Sequence, residues 1–425
     1  KMKDSGIEWI GEIPEEWKVE PIKFHLQRND VKNHPDEKIL SVYRDYGVIP
    51  KDSRTDNHNV TSQDTSKYKL VMPGELVINK MKAWQGSLAV SKYQGIVSPA
   101  YYIYKFINNR LNRNYLNYLI RVCYKDEFRR ISGGIREGQW DLSAYDFEHI
   151  PILVPSLNEQ SCIVSFLNKK IDKINQTSQT IQQEIDALEE YRKSLITETV
   201  TKGLDKTVSM KDSGIEWIGE IPENWKVEPV YLHFKERKNK NAKGKEKNLL
   251  SLSYGNIIEK DITQLGGLLP SSYTIYNVVE PGDIIIRPTD LQNDKKSFRT
   301  GLVTEHGIIT SAYIDLMPCN KQSSKFFHYL LHSYDIQKVF YNMGNGVRQG
   351  LNFAEFSKLR LLVPGKEEQS KIARFLDQKC FRIAKVITQK QRQLDYFNKY
   401  KQSIIYEYVT GKKQVPEKEG IKNAQ

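Results

Sequence analysis

Arginine, glutamine and asparagine can form paired hydrogen bonds with the edges of nucleic-acid bases, while lysine meets phosphate as a point charge. Three loop-like stretches of this 425-residue chain concentrate those side chains. The first is Asn79-Lys-Met-Lys-Ala-Trp-Gln85, which supplies Lys80, Lys82, Trp84 and Gln85; its counterpart, Arg287-Pro-Thr-Asp-Leu-Gln-Asn293, supplies Arg287 and Gln292. The second is Gly133-Gly-Ile-Arg136 with Gln139, matched by Gly344-Asn-Gly-Val-Arg348 with Asn345 and Gln349. Glycine permits close backbone approach to a ligand, and an arginine just after it has the reach to enter a groove. A helix-to-strand turn carrying a solvated arginine is the plainer reading of the same residues. The third stretch, Lys235 to Lys247, holds seven basic and two acidic residues, Lys238 and Lys240 among them. Such a run is a mobile solvated loop, or beside a polyanion a phosphate contact that reads no sequence. Tyr43, Arg44, Tyr254, Asn256 and Arg299 complete the candidate set.

Chemistry of other kinds finds little support. His328 and His332 stand four apart on an expected helix, a spacing that can grip a metal. The aligned residues are Asn117 and Arg121, with no third ligand nearby, so an exposed helix face is expected instead. No Gly-x-x-x-x-Gly-Lys-[Ser/Thr] loop and no Gly-x-Gly-x-x-Gly after a strand is present, nor an Asn-Pro-Pro-aromatic run. Asp36, Glu37 and Glu75 lie among lysines without forming a nuclease signature. The expectation is a chain with no catalytic residue, no metal site and no cofactor of its own.

The elements that must position the loops are easier to read. From Asn158 to Val200, Leu167, Ile174, Ile181, Leu188 and Leu195 recur at sevens, with Ile171 and Ile185 in the interleaved column. A seam with a period of 3.5 asks for a partner helix. Ser156 and Glu159 have capping-box spacing at its start, and Gly203 suits its end. Such a helix is roughly 60 Å long at 1.5 Å per residue. The pattern returns from Glu367 to Val409 as Leu376, Ile383, Phe397 and Ile404, with Cys380, Ile387, Leu394 and Tyr408 beside them. Ser178, Arg192, Lys390 and Lys401 interrupt the seams, as residues that fix register or face another protein do.

The chain is duplicated. Met2 to Pro21 stands again at Met210 to Pro229, altered only where Glu16 becomes Asn224, so Trp9 and Trp17 recur as Trp217 and Trp225. A repeat this long is a copied domain, and its tryptophans are expected to anchor the arm on a domain surface. Between the arms and the long helices, strands are expected at Ile39–Tyr43, Glu75–Ile78, Ser87–Val90 and Tyr101–Phe106, with a helix from about Asn112 to Arg130. Residues 230 to 360 repeat this plan with different side chains.

Composition sets the bounds. Net charge is +12 and the isoelectric point near 9.1, which favours a polyanionic partner. Mean hydropathy is −0.59, and no apolar run is long enough to span a membrane. Four widely spaced cysteines and a start without an apolar core lead to the expectation of a cytoplasmic chain.

The segment Asp141-Leu-Ser-Ala-Tyr-Asp-Phe-Glu-His-Ile-Pro-Ile-Leu-Val-Pro-Ser-Leu-Asn-Glu-Gln resembles the hallmark of type I restriction-modification specificity subunits, where a strand ending in proline leads through Glu-Gln into a long helix. Leu351 to Asp377, through Leu-Val-Pro364 and Glu368-Gln369, is similar, with Gly365 in place of the capping Ser156. The opening Gly-Ile-Glu-Trp-Ile-Gly-Glu-Ile-Pro resembles the start of target-recognition domains in that family. The resemblance implies an α+β chain with pseudo-two-fold duplication, its two α/β recognition domains separated by an antiparallel two-helix coiled coil. The expected division is 1–155 and 204–364 for the recognition domains, 156–203 and 365–411 for the helices, and 412–425 for a disordered tail. It also implies a bipartite double-stranded DNA target, two docked methyltransferase subunits using S-adenosylmethionine, and restriction motor-nuclease subunits using ATP and magnesium. A nuclease or type IIB-like specificity protein and a protein-only coiled-coil scaffold are the alternatives. The duplication itself demands that Lys1 and Gly411 be neighbours.

Overall fold

The computed structural model describes residues 1–54, 64–134, 140–260, 273–289, 298–319, 323–343 and 350–416. The chain divides into two units, one of residues 1–181 with 392–425 and the other of residues 182–391. Among the described residues no helix is long and apolar enough to cross a membrane.

In the first unit the arm folds on itself, Met2–Asp4 pairing antiparallel with Glu12–Pro14. Its last strand, Lys18–Pro21, pairs with Pro151–Val154, the strand that runs into the first long helix. A four-stranded antiparallel sheet follows in the order Leu26–Arg28, Tyr101–Phe106, Leu76–Asn79, Leu88–Val90. A hairpin of Leu40–Tyr43 and Gly47–Pro50 and a pair of Lys69–Val71 with Gly95–Val97 lie beside it. Two helices, α1 (Arg113–Cys123) and α2 (Lys125–Ile131), replace the single helix expected there. The break falls at Tyr124, whose ring is buried edge-on against Trp9 and whose hydroxyl donates to the Pro151 carbonyl at 2.7 Å. The short helix α3 (Ala144–His149) is capped by Ser143 and leads to the strand before α4 (Leu157–Lys202).

The second unit repeats this plan, except that the first unit's short pair of Ser132–Gly133 with Asp141–Leu142 has no counterpart among the described residues. Its four-stranded sheet runs Phe234–Glu236, Ile314–Pro318, Ile284–Ile286, Thr300–Leu302, and its hairpin is Leu250–Ser253 with Asn256–Glu259. Its helices are α5 (Ser324–Ile336), the single turn α6 (Phe353–Phe356) and the long α7 (Lys366–Val409). Trp217 lies edge-on to Tyr334, and the Tyr334 hydroxyl donates to the Arg360 carbonyl at 2.7 Å, the same contacts that Trp9 and Tyr124 make.

The long helices run antiparallel within each unit. In the first, the Phe166 and Tyr408 rings meet tilted at 4.5 Å, and Lys401 donates to Asn175 at 3.0 Å. In the second, Lys390 is paired with Glu184 at 2.6 Å. Two of the polar residues that break the seams are therefore bonded across it. Leu167, Ile171, Ile174, Ile181 and Ile185 are buried on α4, and Leu376, Ile383 and Ile404 on α7. Leu188 and Leu195 are only half-buried, while Ile196 and Val200 take the buried places. A helix of 3.6 residues per turn drifts out of a strict seven-residue register, which accounts for the change of column. Ile387, Leu394 and Phe397 are likewise half-buried.

The Glu-Gln pair has a structural task. Ser156 caps the Glu159 amide at 3.2 Å, but the Glu159 carboxylate accepts from the Trp17 indole at 2.9 Å, tying the arm to the helix start. Buried Gln160 accepts from the Asn112 amide at 2.7 Å and donates to the Arg110 and Pro155 carbonyls. Asn112 is the N-cap of α1, so one amide joins the starts of α1 and α4. Gln369 repeats this with Ser323, the N-cap of α5, and the Pro364 carbonyl.

Each long helix ends on a left-handed glycine held against an arm. A β-carbon on Gly203 would stand 3.3 Å from Trp225 and 3.7 Å from Pro222; on Gly411 it would clash with Pro14 and Trp17. Lys412 bonds to the Glu12 carbonyl and Lys413 pairs with Glu407 at 3.1 Å. The first two residues of the expected tail are thus bonded to the arm and to α7, and residues 417–425 lie outside the described residues.

Gln160→Ala leaves the Asn112 amide and two carbonyls without their partner, so it is expected to destabilise the first unit by about 1–3 kcal/mol in a denaturant titration. An unchanged midpoint would contradict that role. Gly411 rests on the arm and Glu15 bonds to the Lys1 carbonyl, so joining the two ends and reopening the chain near Thr207 should give a soluble protein with an unchanged helical signal. Aggregation of the permuted chain would argue otherwise.

Candidate nucleic-acid interface

In the first unit, part of the candidate set gathers at one end of the sheet. Asn79 ends its strand and Lys80 to Gly86 turn over it, with the Trp84 indole donating to the Met81 carbonyl at 3.1 Å. Trp84 lies 5.4 Å from Trp140, and Arg129 of α2 stands 5.9 Å over the Trp140 ring. Gln85 accepts from Arg44 at 3.3 Å, which joins this turn to the tip of the Leu40–Pro50 hairpin. Tyr43, half-buried at that tip, lies 5.5 Å beneath the Arg54 guanidinium. Arg44 and Lys82 are exposed. Lys80 is half-buried and paired with Asp141 at 2.9 Å, a geometry that spends its charge on the fold. Arg136 and Gln139 lie outside the described residues.

In the second unit, Tyr254 and Asn256 sit at the corresponding hairpin tip, with the Asn256 amide 3.4 Å from the Tyr254 carbonyl. Arg287 is half-buried at the end of its strand. Lys238 and Lys240 are exposed; the first is paired with Glu236 at 2.8 Å and the second donates to the Ile275 carbonyl at 3.0 Å. Gln292, Asn345, Arg348 and Gln349 lie outside the described residues.

Two expectations need correction. Arg299 is 0% exposed; its guanidinium donates to the Thr289 carbonyl at 2.5 Å, and its backbone amide bonds to buried Asp335. It holds the Thr289 carbonyl from within and cannot meet DNA in this conformation. His328 and His332 do not form an exposed face either. His328 Nε2 and His332 Nδ1 are shut off from solvent, and burial lowers the two rings to about 4 and about 3. Both are neutral at physiological pH. Among the described residues no three His, Cys, Asp or Glu side chains stand together to hold a metal.

Sequence reasoning missed a buried ionic cluster beneath the second sheet. Arg237 donates to Asp283 at 2.8 and 3.1 Å, and Asp315 lies 3.8 Å from the same guanidinium. The first unit has Asn29 donating to Glu75 at 2.7 Å, with apolar Ile103 where Asp315 stands. Asp315 is 1% exposed. Burial and then the neighbouring Asp283 push its carboxyl up to about 8, against the opposing pull of Arg237. The signal was present in the aligned triplets Asn29/Arg237, Glu75/Asp283 and Ile103/Asp315, which change together. Tyr46, Arg54 and Trp140 were also missed; Tyr46 lies in the same hairpin tip as Arg44.

Comparison with known proteins supplies the wider setting. A family profile described as the type I restriction modification DNA specificity domain matches residues 14–187 and 307–395. The chain belongs to the type I restriction-modification DNA specificity family. A putative type I restriction enzyme MjaX specificity subunit from Methanocaldococcus jannaschii is 25% identical over 432 residues, covering 95% of each chain. The MjaVIII specificity subunit of the same organism is 29% identical over 168 residues, covering 38% of this chain and 37% of its own. A solved chain from work on complex assembly and conformational transition of the type I R-M system has the same fold, with a TM-score of 0.66 at 13% identity, over 94% of this chain and 99% of that one. The chain is thus a specificity subunit, a DNA-recognition protein and not itself an enzyme.

Asp315 gives a pH test. Below about pH 4 it holds its proton in folded and unfolded chain alike; from there to about pH 8 the unfolded chain releases a proton that the folded unit keeps, so stability falls across that interval. Asp315→Asn should therefore stabilise the second unit increasingly from pH 5 to pH 8, by a few kcal/mol at most. Urea titrations at both pH values measure it, and a pH-independent difference would contradict the buried proton.

Proposed function

We propose that this specificity subunit reads a bipartite, asymmetric sequence in double-stranded DNA, one half-site per unit. The observation that carries this reading is one framework present twice with unlike polar tips. Trp9 and Trp217, Trp17 and Trp225, Tyr124 and Tyr334, and Gln160 and Gln369 occupy matching places in the two copies. The hairpin tips, by contrast, carry Arg44-Asp45-Tyr46 in one unit and Tyr254-Gly255 in the other. Duplicated scaffolds with rewritten loops suit recognition of two different things. Residues 1–155 and 204–364 then serve as the recognition domains, and 156–203 and 365–411 as the helices that carry them.

The helices also dock two methyltransferase subunits and, through them, the restriction subunits. Support comes from the outer surface of α7, where Phe381, Tyr396 and Tyr400 are exposed; large apolar groups exposed on a helix mark protein contact. In the first unit a groove of about 510 Å³ is lined by Thr177, Ile181, Arg392, Gln393, Tyr396 and Phe397. S-adenosylmethionine, ATP and magnesium belong to those partners, which do the chemistry in the cytoplasm. This chain binds, orients and spaces the DNA.

Sequencing the methylated sites of cells that carry this chain with its methyltransferase should give one gapped, asymmetric target. Arg136→Ala is expected to relax one half-site and Arg348→Ala the other, each by about 1–3 kcal/mol. Both substitutions acting on the same half would refute the division of labour. A DNA affinity that does not fall with added salt would refute the reading altogether.

A further inference from the structure

The hairpin of each unit ends in an exposed tyrosine. In the second unit, Leu250–Ser253 and Asn256–Glu259 are joined by Tyr254 and Gly255 alone, both in the left-handed region at φ 46° and 80°. A two-residue turn of this kind favours Asn-Gly, and a bulky aromatic at its first position is strained. The Tyr254 side chain is 80% exposed, so packing returns nothing for the strain. Strained, exposed and bulky side chains gather where a ligand is met. In the first unit the tip is Arg44-Asp45-Tyr46, closing on Gly47; Tyr46 is 61% exposed, with the Arg54 guanidinium 4.6 Å from its ring.

Both tips stand on the same foundation. Arg121 of α1 donates to the Arg44 carbonyl at 2.6 Å. His332, at the aligned position of α5, lies under the other tip: a β-carbon on Gly255 would stand 3.5 Å from its ring and 3.2 Å from Phe298. The hairpins are thus fixed at their ends and differ in what they present.

A two-stranded ribbon fits the major groove of duplex DNA. The tips carry chemistry for base edges rather than for phosphate. The Asp45 carboxylate is repelled by phosphate but can accept from a cytosine amino group, and Asn256 can pair with adenine. Tyrosine adds a hydroxyl and a face for the thymine methyl group.

We propose that the hairpin of each unit enters the major groove tip first, and that Tyr46 and Tyr254 determine specificity, one in each half-site. This rests on the bipartite reading above. The test selects duplexes of random sequence on the full chain, alone and with its methyltransferase, and sequences those retained. Tyr254→Asn and Tyr254→Gly suit the left-handed turn, so their unfolding midpoints should equal or exceed that of the natural chain. Each should still weaken binding to the selected duplex about tenfold and blur one half-site only. Tyr46→Ala should blur the other. Unchanged affinity and unchanged sequences would overturn the role of the hairpins while leaving the bipartite reading intact. Equal loss across both half-sites with a shallower salt slope would also overturn it, as the mark of a phosphate contact. Failure of the natural chain to enrich any gapped pair would remove the reading underneath, and the proposal with it.

Discussion

The antiparallel contact between α4 and α7 is the constraint on which the rest depends. Neither helix has an apolar stripe wide enough to be stable alone, and helices this long gain most of their stability from tertiary packing. Within each unit the helix segments meet through buried isoleucine and leucine. Register comes from bonds that only one alignment permits: Phe166 on Tyr408, Lys401 to Asn175, Lys390 to Glu184. The exposed Lys390–Glu184 pair adds little energy, since surface ion pairs contribute about 0–1 kcal/mol, and its value is in selecting the alignment. The helix ends are secured differently, by a left-handed glycine lodged against the tryptophan and proline of an arm.

That arrangement constrains the buried residues of the two arms. Trp17 and Trp225 are both fully buried, each against the glycine that ends a long helix. A change in one arm must fit a helix end and a strand pairing at once. The sheet cores are freer. Asn29–Glu75 in one unit has become Arg237–Asp283–Asp315 in the other without altering the strand order. The hairpin tips are freer still, because only their ends are braced.

Much of this was legible in the sequence because it is periodic or repeated. Heptads revealed the pairing, and the copied arm revealed the duplication. The Pro-x-x-x-Glu-Gln passage marked the helix starts, although not the bonds of Gln160 and Gln369 to the N-caps of α1 and α5. What stayed hidden depends on burial that no local pattern reports. Arg299 belongs to a residue type that is almost always at the surface, yet here carbonyl groups enclose it. His328 and His332 lie at helical spacing that fits an exposed face equally well. The break at Tyr124 has no local signal either: Tyr334 makes the matching contacts inside the unbroken α5.

The pairing of α4 with α7 can be measured directly on the natural chain. A zero-length carbodiimide joins a lysine to a carboxylate only when the two already touch, and mass spectrometry of the digested monomer locates the bond. The account predicts an amide between Glu184 and Lys390 within one chain, at a yield independent of protein concentration. A link from either residue only between separate chains, or no link between them at all, would contradict it.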